Sequence, residues 1–435
     1  VVALTAQRSP VMIGGREVIS MTYNGQAPAP TLRLKPGETL GVTLTNGLDQ
    51  PTNFHTHGLH VSPSGNSDNV LLHLMPGETF QFEFQIPPDG ISGLSIPGFF
   101  WYHPHMHGYT SEQVNGGMAG ALIVEGGLDD LPALREAPER VLVLQSTQYA
   151  LDGAMIKAPE FAIVDIYVNG QYVPEMPIAP GETQRWRVLN ASSYTFMDLE
   201  LEGHTLHQIA ADGNALNALW SRDAILLSPG ERADVLVQGG APGRYAFRSR
   251  AWGADFQVQP AMPIATLVSA GAAVTPMALP ETLFPFEDLR QAPIDRQRSL
   301  DFGETLHPFA VFVNGQTFDP DRVDETVELG ATEEWRIRNS SYDVHPFHIH
   351  VNDFQVISVN GQPHEARSWE DTFPVPAFDE IVMRTRFLDF PGKFVYHCHI
   401  LDHEDMGMMG IVEVVDPAAD GAAATPERPS PERPS

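Results

Sequence analysis

Ten of the 17 histidines in this chain stand in four short clusters, which form its strongest chemical signal. The clusters are His55-Thr56-His57, His103-Pro104-His105, His345-Pro346-Phe347-His348-Ile349-His350, and His397-Cys398-His399 with His403 close behind. Residues i and i+2 of a β-strand project to the same face, so each His-x-His can direct two imidazoles toward one centre. Imidazole is a common ligand of copper, zinc, iron and nickel. The clusters therefore predict metal binding.

The flanking residues show which clusters correspond to each other. The run Pro97-Gly98-Phe99-Phe100-Trp101-Tyr102-His103 matches Pro391-Gly392-Lys393-Phe394-Val395-Tyr396-His397. The corresponding pairs are His103/His105 with His397/His399, and His55/His57 with His348/His350. Eight imidazoles exceed what one copper, zinc or iron ion binds, so we expect a cluster of several metal ions.

A second set of candidate ligands surrounds the single cysteine, which cannot form an intrachain disulfide. The candidates are His345, Cys398, His403 and Met408. Two histidines, one cysteine and a weak axial methionine describe a blue-copper electron-transfer centre. Met406 and Met409 are close competitors for the axial position.

The elements that must position these side chains belong to a threefold internal repeat. Asn-Gly-Gln recurs at 24–26, 169–171 and 314–316, a spacing of 145 residues both times. A second similarity follows each copy, at Pro36-Gly37-Glu38-Thr39, Pro180-Gly181-Glu182-Thr183 and Leu329-Gly330-Ala331-Thr332. Three copies of one unit therefore build the chain, and the four clusters lie in the first and third.

The middle copy lacks the histidines of its neighbours. Glu200 and Glu202 stand at the positions of His348 and His350 in the third copy. Phe247 stands where a ligand of the last cluster is expected, and no histidine follows it. We therefore expect the middle copy to contribute no ligand and to act as a spacer.

Within each copy the apolar segments are short and separated by Gly, Pro and Asn turn signals. In the first copy they are Thr31–Leu34, Leu40–Leu44, Phe80–Ile86 and Ala121–Val124. Phe80–Ile86 alternates strictly between apolar and polar residues, which predicts a strand with one buried face and an antiparallel sandwich. The segments Asp129–Glu139 and Glu281–Ser299 are predicted linkers, with a short helix near Leu131–Leu134.

Composition excludes several classes of protein. Lys and Arg number 26 against 55 Asp and Glu, a formal net charge of −29 that repels nucleic acid and anionic lipid. No stretch of about 20 apolar residues could span a membrane. At about 150 residues per domain, the chain length corresponds to about three domains.

The combination of motifs resembles the multicopper oxidases, and among them the three-domain bacterial laccase-like enzymes. The matching segments are His55-Thr56-His57-Gly58, Trp101-Tyr102-His103-Pro104-His105, His345 to His350, and His397 to Met408. The resemblance covers residues 1 to about 416 and implies an all-β fold of three cupredoxin-like Greek-key β-sandwich domains. The expected domains are 1–130, 131–280 and 281–416, and the Pro-Glu-Arg-Pro-Ser repeats predict a disordered tail over 417–435.

The resemblance also implies four copper ions and one-electron oxidation of a reductant, coupled to reduction of O2 to water. It assigns the type 1 copper to His345, Cys398, His403 and Met408, the type 2 copper to His55 and His348, and the type 3 pair to His57, His103, His105, His350, His397 and His399. Cys398 lies between two histidines of the cluster, which gives electrons a short covalent path.

Two carboxylates are candidate proton donors, because reduction of O2 to water consumes protons. Asp68 lies in Ser67-Asp68-Asn69-Val70, and Glu404 directly follows His403. Both positions resemble those at which the family has proton-relay acids. The alternative for each is a solvated surface carboxylate. The remaining histidines are expected to be surface or hydrogen-bonded residues, with His107 the first to check.

The reductant is the main open question. The 14 methionines are dispersed apart from Met406, Met408 and Met409, which favours phenols or aromatic amines over Cu(I). A cuprous oxidase in copper tolerance is the alternative. A non-catalytic scaffold is disfavoured because every His and Cys ligand is present, and a copper nitrite reductase because six further histidines remain unexplained.

Partners and location complete the expectations. A small-molecule reductant and O2 are the expected partners, and three complete domains in one chain permit a monomer. The chain begins Val1-Val2-Ala3 without an initiating methionine. We expect a periplasmic or secreted protein from which a signal peptide has been removed.

Overall fold

The computed structural model describes residues 1–88, 97–156, 162–253 and 257–418. Within them, each of the three repeats forms two β-sheets, and every sheet draws its strands from a single repeat. The predicted tail begins at residue 417, and its residues 419–435 lie outside the described residues. No helix in the described ranges is long and apolar enough to cross a membrane.

The first repeat confirms the strand predicted from alternation. Phe82, Phe84 and Ile86 are buried in its core, whereas Glu83 points to the polar face. Its described strands and helices are β1 (Val2–Ile13), β2 (Arg16–Tyr23), β3 (Ala29–Leu34), β4 (Thr39–Asn46), β5 (His55–His57), β6 (Thr79–Gln85), β7 (Gly98–His103), α1 (Thr110–Asn115) and β8 (Gly120–Val124), and α2 (Pro132–Arg135) follows β8. The short helix expected near Leu131–Leu134 is α2.

The second repeat is built from twelve strands in the described part of the chain. They are β9 (Glu139–Tyr149), β10 (Met155–Ile156), β11 (Asp165–Val168), β12 (Glu175–Ile178), β13 (Thr183–Asn190), β14 (Met197–Leu201), β15 (Leu206–Ala211), β16 (Asn214–Arg222), β17 (Ile225–Leu227), β18 (Arg232–Gln238), β19 (Gly243–Arg250) and β20 (Met262–Ser269). Trp186 and Phe247 lie in its hydrophobic core.

The third repeat begins inside the predicted second linker, because β21 starts at Arg296. Its described elements are β21 (Arg296–Leu306), β22 (Phe309–Val313), β23 (Glu325–Glu328), β24 (Thr332–Asn339), β25 (His345–Ile349), β26 (Phe354–Val359), β27 (Gln362–Pro363), β28 (Thr372–Val375), β29 (Glu380–Arg386), β30 (Gly392–Cys398), α3 (Leu401–Asp405) and β31 (Met409–Val415). Trp335 and Phe347 pack in its core.

The strand orders show that the repeats share one topology. The sheets run β2-β1-β4-β6 and β3-β8-β7-β5, then β10-β9-β13-β18-β15-β16 with β11 beside β9 and β12-β20-β19-β14-β17, then β22-β21-β24-β29-β26-β27 and β23-β31-β30-β25-β28. The predicted antiparallel pairing holds except for two parallel pairs in each repeat, namely β1/β4 and β3/β8, β9/β13 and β12/β20, β21/β24 and β23/β31. Crossovers between the two sheets bring these strands together in parallel.

Strand register shows what replaces the ligands in the second repeat. His348 of β25 pairs with His397 of β30, and at the equivalent place Glu200 of β14 pairs with Arg248 of β19. Arg248 Nε donates a hydrogen bond to Glu200 Oε2 at 2.7 Å, so an ion pair occupies the place of a ligand pair. The placement of Phe247 at a ligand position is wrong by one residue, because its side chain lies on the opposite, core-facing side of β19.

Candidate metal centres

Adjacent strands bring the histidines of each outer repeat together. His55 of β5 lies opposite His103 of β7, and His348 lies opposite His397 in the same way. Only His55 and His57 both lie on a strand, since the other three His-x-His pairs straddle a strand end. The rotation at these strand ends sends the two members of a pair to different groups.

Eight histidines form three groups, two of which share His57, and within each group the ligand atoms lie within 4.8 Å of one another. The groups are His55, His57 and His348; His57, His103 and His399; and His105, His350 and His397. Each group draws on both outer repeats. The two repeats also meet in stacked rings, with centroids 3.9 Å apart for His57 and His348 and 4.0 Å apart for His55 and His350.

The chemistry of these side chains fits metal ions. Several of their buried ring nitrogens have no hydrogen-bond partner among the described residues, namely His55 Nε2, His57 Nδ1, His103 Nε2, His348 Nε2, His350 Nδ1 and both nitrogens of His399. A buried polar atom without a partner is costly, and a metal ion would satisfy it. Burial is the main cause that lowers the pKa of seven of the eight imidazoles, His55, His57, His103, His105, His350, His397 and His399, which favours the neutral form that binds metals.

A fourth group contains the cysteine. Cys398 Sγ lies 3.5 Å from His345 Nδ1 and 3.8 Å from His403 Nδ1, and these two nitrogens are 3.2 Å apart. All three side chains are buried, and Ser341 Oγ lies 2.6 Å from the other nitrogen of His345. One sulfur and two nitrogens within contact distance of each other form a donor set that fits copper.

Burial separates the three methionines near this group. Met408 is buried in the same core cluster as Cys398, and its carbonyl accepts a hydrogen bond from Cys398 N at 3.1 Å. Met406 is 40% exposed, and Met409 packs in a different cluster with Val395. This arrangement favours Met408 as the axial donor.

Glu404, in α3, contacts two histidines of the eight-histidine cluster. Its carboxylate oxygens lie 3.3 Å from His105 Nδ1 and 3.4 Å from His397 Nδ1. Thr110 in α1 donates a hydrogen bond to Glu404 Oε1 at 2.9 Å. Burial, with the neighbouring Asp405 carboxylate, raises the pKa of Glu404 well above its usual range. Glu404 is fully buried, so the surface alternative for it does not hold.

Asp68 lies on the other side of the cluster. Its carboxylate is 2.9 Å from His55 Nδ1 and accepts hydrogen bonds from the backbone N–H of Thr56 at 2.9 Å and the Thr56 hydroxyl at 3.2 Å. Asp68 is only 2% exposed, and burial raises its pKa to about 7. Two carboxylates therefore reach the cluster, one from helix α3 and one from a loop of the first repeat.

Sequence reasoning missed a third carboxylate. Asp371 Oδ1 lies 3.0 Å from His57 Nε2, and the Asp371 carbonyl lies 2.8 Å from His348 Nδ1. No histidine neighbours Asp371 in the sequence, so no spacing signal could have identified it. His107, in contrast, belongs to none of the four histidine groups, and its ring packs 4.9 Å from that of Phe318.

Comparisons with known proteins show which family this chain is similar to. Models described as multicopper oxidase match residues 5–128, 99–272 and 291–418. The multicopper oxidase mco of Staphylococcus epidermidis is 28% identical over 420 residues, covering 91% of this chain and 84% of the relative. The laccase of Bacillus subtilis is 26% identical over 481 residues, with 91% and 90% covered. A solved multicopper oxidase from Campylobacter jejuni, described as a metallo-oxidase, has 27% identity and a TM-score of 0.82, with 95% and 91% covered.

Proposed function

Because this chain belongs to the multicopper oxidase family, we propose that it is a laccase-type enzyme that oxidises phenols or aromatic amines and reduces O2 to water. The observation that carries the proposal is the position of Cys398. Cys398 belongs to the group with His345 and His403, while its neighbours His397 and His399 belong to two different three-histidine groups. One residue thus connects an electron-accepting site to an oxygen-binding site.

The four groups support the ligand sets, with His57, which belongs to two groups, given to a type 3 copper and Met408 added to the type 1 set. We assign a type 1 copper to His345, Cys398, His403 and Met408, a type 2 copper to His55 and His348, one type 3 copper to His57, His103 and His399, and the other to His105, His350 and His397. When bound, copper would accept electrons singly and pass them to O2. The chain divides at 1–130, 131–280 and 281–416 in this proposal, with the type 1 site in the last unit.

The protein side chains supply the connections and the protons. The Cys398 backbone and side chain form the covalent path toward His397 and His399. The Glu404 carboxylate contacts the Nδ1 atoms of His105 and His397, and Asp68 accepts a hydrogen bond from Nδ1 of His55, so both acids lie close enough to the cluster to pass protons to O2 there. Both carboxylates are buried, so bulk water does not compete for their protons.

The protein surface beside His403 supports an aromatic reductant. The ring centroid of Phe309 lies 6.0 Å from that of His403, and Phe309 is 43% exposed. A phenol can stack on this ring next to the type 1 ligand. The exposed Met406 thioether favours Cu(I) as the alternative reductant. Initial rates with a methoxyphenol and with Cu(I) decide between them, and faster turnover of Cu(I) would contradict the laccase assignment.

Replacing Phe309 with alanine should raise the KM for a methoxyphenol about 2- to 10-fold, as expected for loss of one aromatic contact. Cu(I) turnover and the visible spectrum should not change. Tyr172→Ala, which removes a 49% exposed aromatic ring from the second repeat, is the matched control. An unchanged KM for the methoxyphenol, or an equal loss of kcat/KM with the methoxyphenol and with Cu(I), would show that phenols do not bind at Phe309.

Replacing Met408 with leucine should preserve blue colour and raise the reduction potential of the type 1 copper. Loss of a weak thioether donor destabilises Cu(II) more than Cu(I). A redox titration followed by visible absorption measures the shift. Met406→Leu is the control and should leave the potential unchanged. If the Met406 variant shifts the potential and the Met408 variant does not, the axial assignment is wrong.

A periplasmic or secreted location and a monomeric state stay predictions from the sequence.

A further inference from the structure

The second repeat supplies no metal ligand, yet one of its loops forms part of the wall of the oxygen-binding cluster. Gly230, at φ +92°, lies against His399, and a Cβ atom there would be 3.0 Å from three atoms of the imidazole ring. A side chain at this position would press on a proposed type 3 ligand and force its ring to shift by a few tenths of an ångström. The loop leads directly into Arg232, the first residue of β18.

Arg232 is fully buried and binds groups from all three repeats. Its guanidinium donates two hydrogen bonds to the Asp371 carboxylate, at 2.8 and 2.7 Å. It also donates to the carbonyl of Phe99, in β7 of the first repeat, at 3.3 Å and to that of Gly230 at 3.2 Å. Asp212, at 3.4 Å, completes the set within the second repeat. A two-pronged arginine–carboxylate pair fixes orientation as well as distance.

The first repeat is shaped around this ion pair. Gly58 ends the His55-Thr56-His57-Gly58 motif with φ +79°. A Cβ atom at Gly58 would overlap both Asp371 Oδ2 and the Arg232 guanidinium. The turn after His57 therefore needs glycine for its backbone conformation and for the space that the pair occupies.

The carboxylate held by Arg232 reaches two proposed ligands. Asp371 Oδ1 contacts His57 Nε2 at 3.0 Å, which leaves Nδ1 as the atom of His57 that can bind a metal. The same oxygen accepts a hydrogen bond from the Thr372 hydroxyl at 2.8 Å, and lies 3.6 Å from His348 Nδ1. Partners of this kind set the ring orientation of metal-binding histidines, and their loss typically lowers metal affinity 10- to 100-fold.

We propose that Arg232 is a positioning residue for the oxygen-binding copper cluster, acting through Asp371 to orient His57 and His348. The second repeat then helps to position the ligands of the cluster, in addition to the spacer role that the sequence predicts. This inference rests on the proposed function, because it concerns the type 2 and type 3 sites assigned above.

The test compares the wild-type chain with Arg232→Lys, which keeps the charge and loses the two-pronged geometry. Copper bound per chain, the visible spectrum, the electron paramagnetic resonance spectrum and the melting temperature of the copper-free protein are measured. We expect the Arg232→Lys chain to keep the blue band but to lose at least one of the other coppers, or to need 10- to 100-fold more copper to fill those sites.

Arg187→Lys is the matched control. Arg187 is another fully buried arginine of the second repeat, and it pairs with Asp129, Glu139 and Asp234 away from the histidines. Its variant should lose thermal stability while binding copper as the wild type does. Equal copper binding and identical spectra in the Arg232 and Arg187 variants would overturn the proposal.

A double variant guards against failure to fold. Arg232→Met alone leaves two buried carboxylates, Asp371 and Asp212, without their partner. Arg232→Met with Asp371→Asn removes both charges of the two-pronged pair, leaves only Asp212, and should recover part of the lost stability. The double variant should still bind copper poorly at the oxygen-binding cluster. Wild-type copper binding in it would also overturn the proposal. A wild-type chain that lacks the blue band or binds fewer than four coppers contradicts the proposed function instead.

Discussion

Serine in place of Cys398 is expected to abolish both the blue band and turnover while leaving the fold intact. Serine is close to cysteine in volume, and Cys398 is buried in a well-packed core beside His345 and His403. A hydroxyl does not provide the soft, anionic sulfur that a blue-copper site requires. The variant also loses the covalent path through sulfur toward His397 and His399. Catalytic rate, visible absorption and copper content measure these effects.

The remaining eight-histidine cluster acts as the internal control for this variant. It contains no sulfur ligand, so Cys398→Ser should still bind three coppers per chain out of the proposed four. A circular dichroism spectrum like that of the wild type would show that the sheets are intact. If the variant still turns over its reductant, Cys398 does not lie on the electron path.

Glutamine in place of Glu404 should slow the reaction with O2 by about 100-fold or more, the usual contribution of a positioned proton donor. Glutamine has nearly the same shape and can still accept the hydrogen bond from Thr110, but it cannot release a proton. The blue band should stay, because Glu404 contacts His105 and His397 and not the group around Cys398. Stopped-flow reoxidation of the fully reduced enzyme by O2 measures the rate.

Glu333→Gln is the matched control for this experiment. Glu333, in β24, is an equally buried glutamate of the third repeat, and it pairs with Arg298 of β21, apart from the histidine groups. Its variant should be less stable and yet react with O2 at the wild-type rate. Loss of the blue band in Glu404→Gln would make Glu404 a structural support of the copper site and contradict its role as proton donor.

The repeat and the ligand clusters could be predicted because their signals are local. Histidines two residues apart mark the segments that carry the ligands, although three of the four pairs send their two rings to different groups. Matching flanks around His103 and His397 show the internal symmetry. Strict alternation over Phe80–Ile86 predicts a buried face in the same way. These parts of the fold need only short-range information.

The residues around the ligands could not be predicted because they meet only in three dimensions. Asp371 lies 314 residues from His57 in the sequence, and Arg232 comes from the repeat that has no ligands. The position of Phe247 was missed by one residue, because strand register, which the sequence does not state, decides which side chain faces the ligand position. Parallel strand pairs arise from crossovers between sheets and leave no local pattern.

The visible absorption spectrum of the copper-loaded protein tests the central claim most directly. Cys398, His345 and His403 around one copper predict an intense Cu–thiolate band at about 600 nm. The band should disappear on reduction and return when O2 is admitted, because under the proposed function electrons would leave the type 1 copper through Cys398 toward the eight-histidine cluster. A fully loaded protein that shows no such band, or whose reduced form stays colourless in O2, would contradict the account.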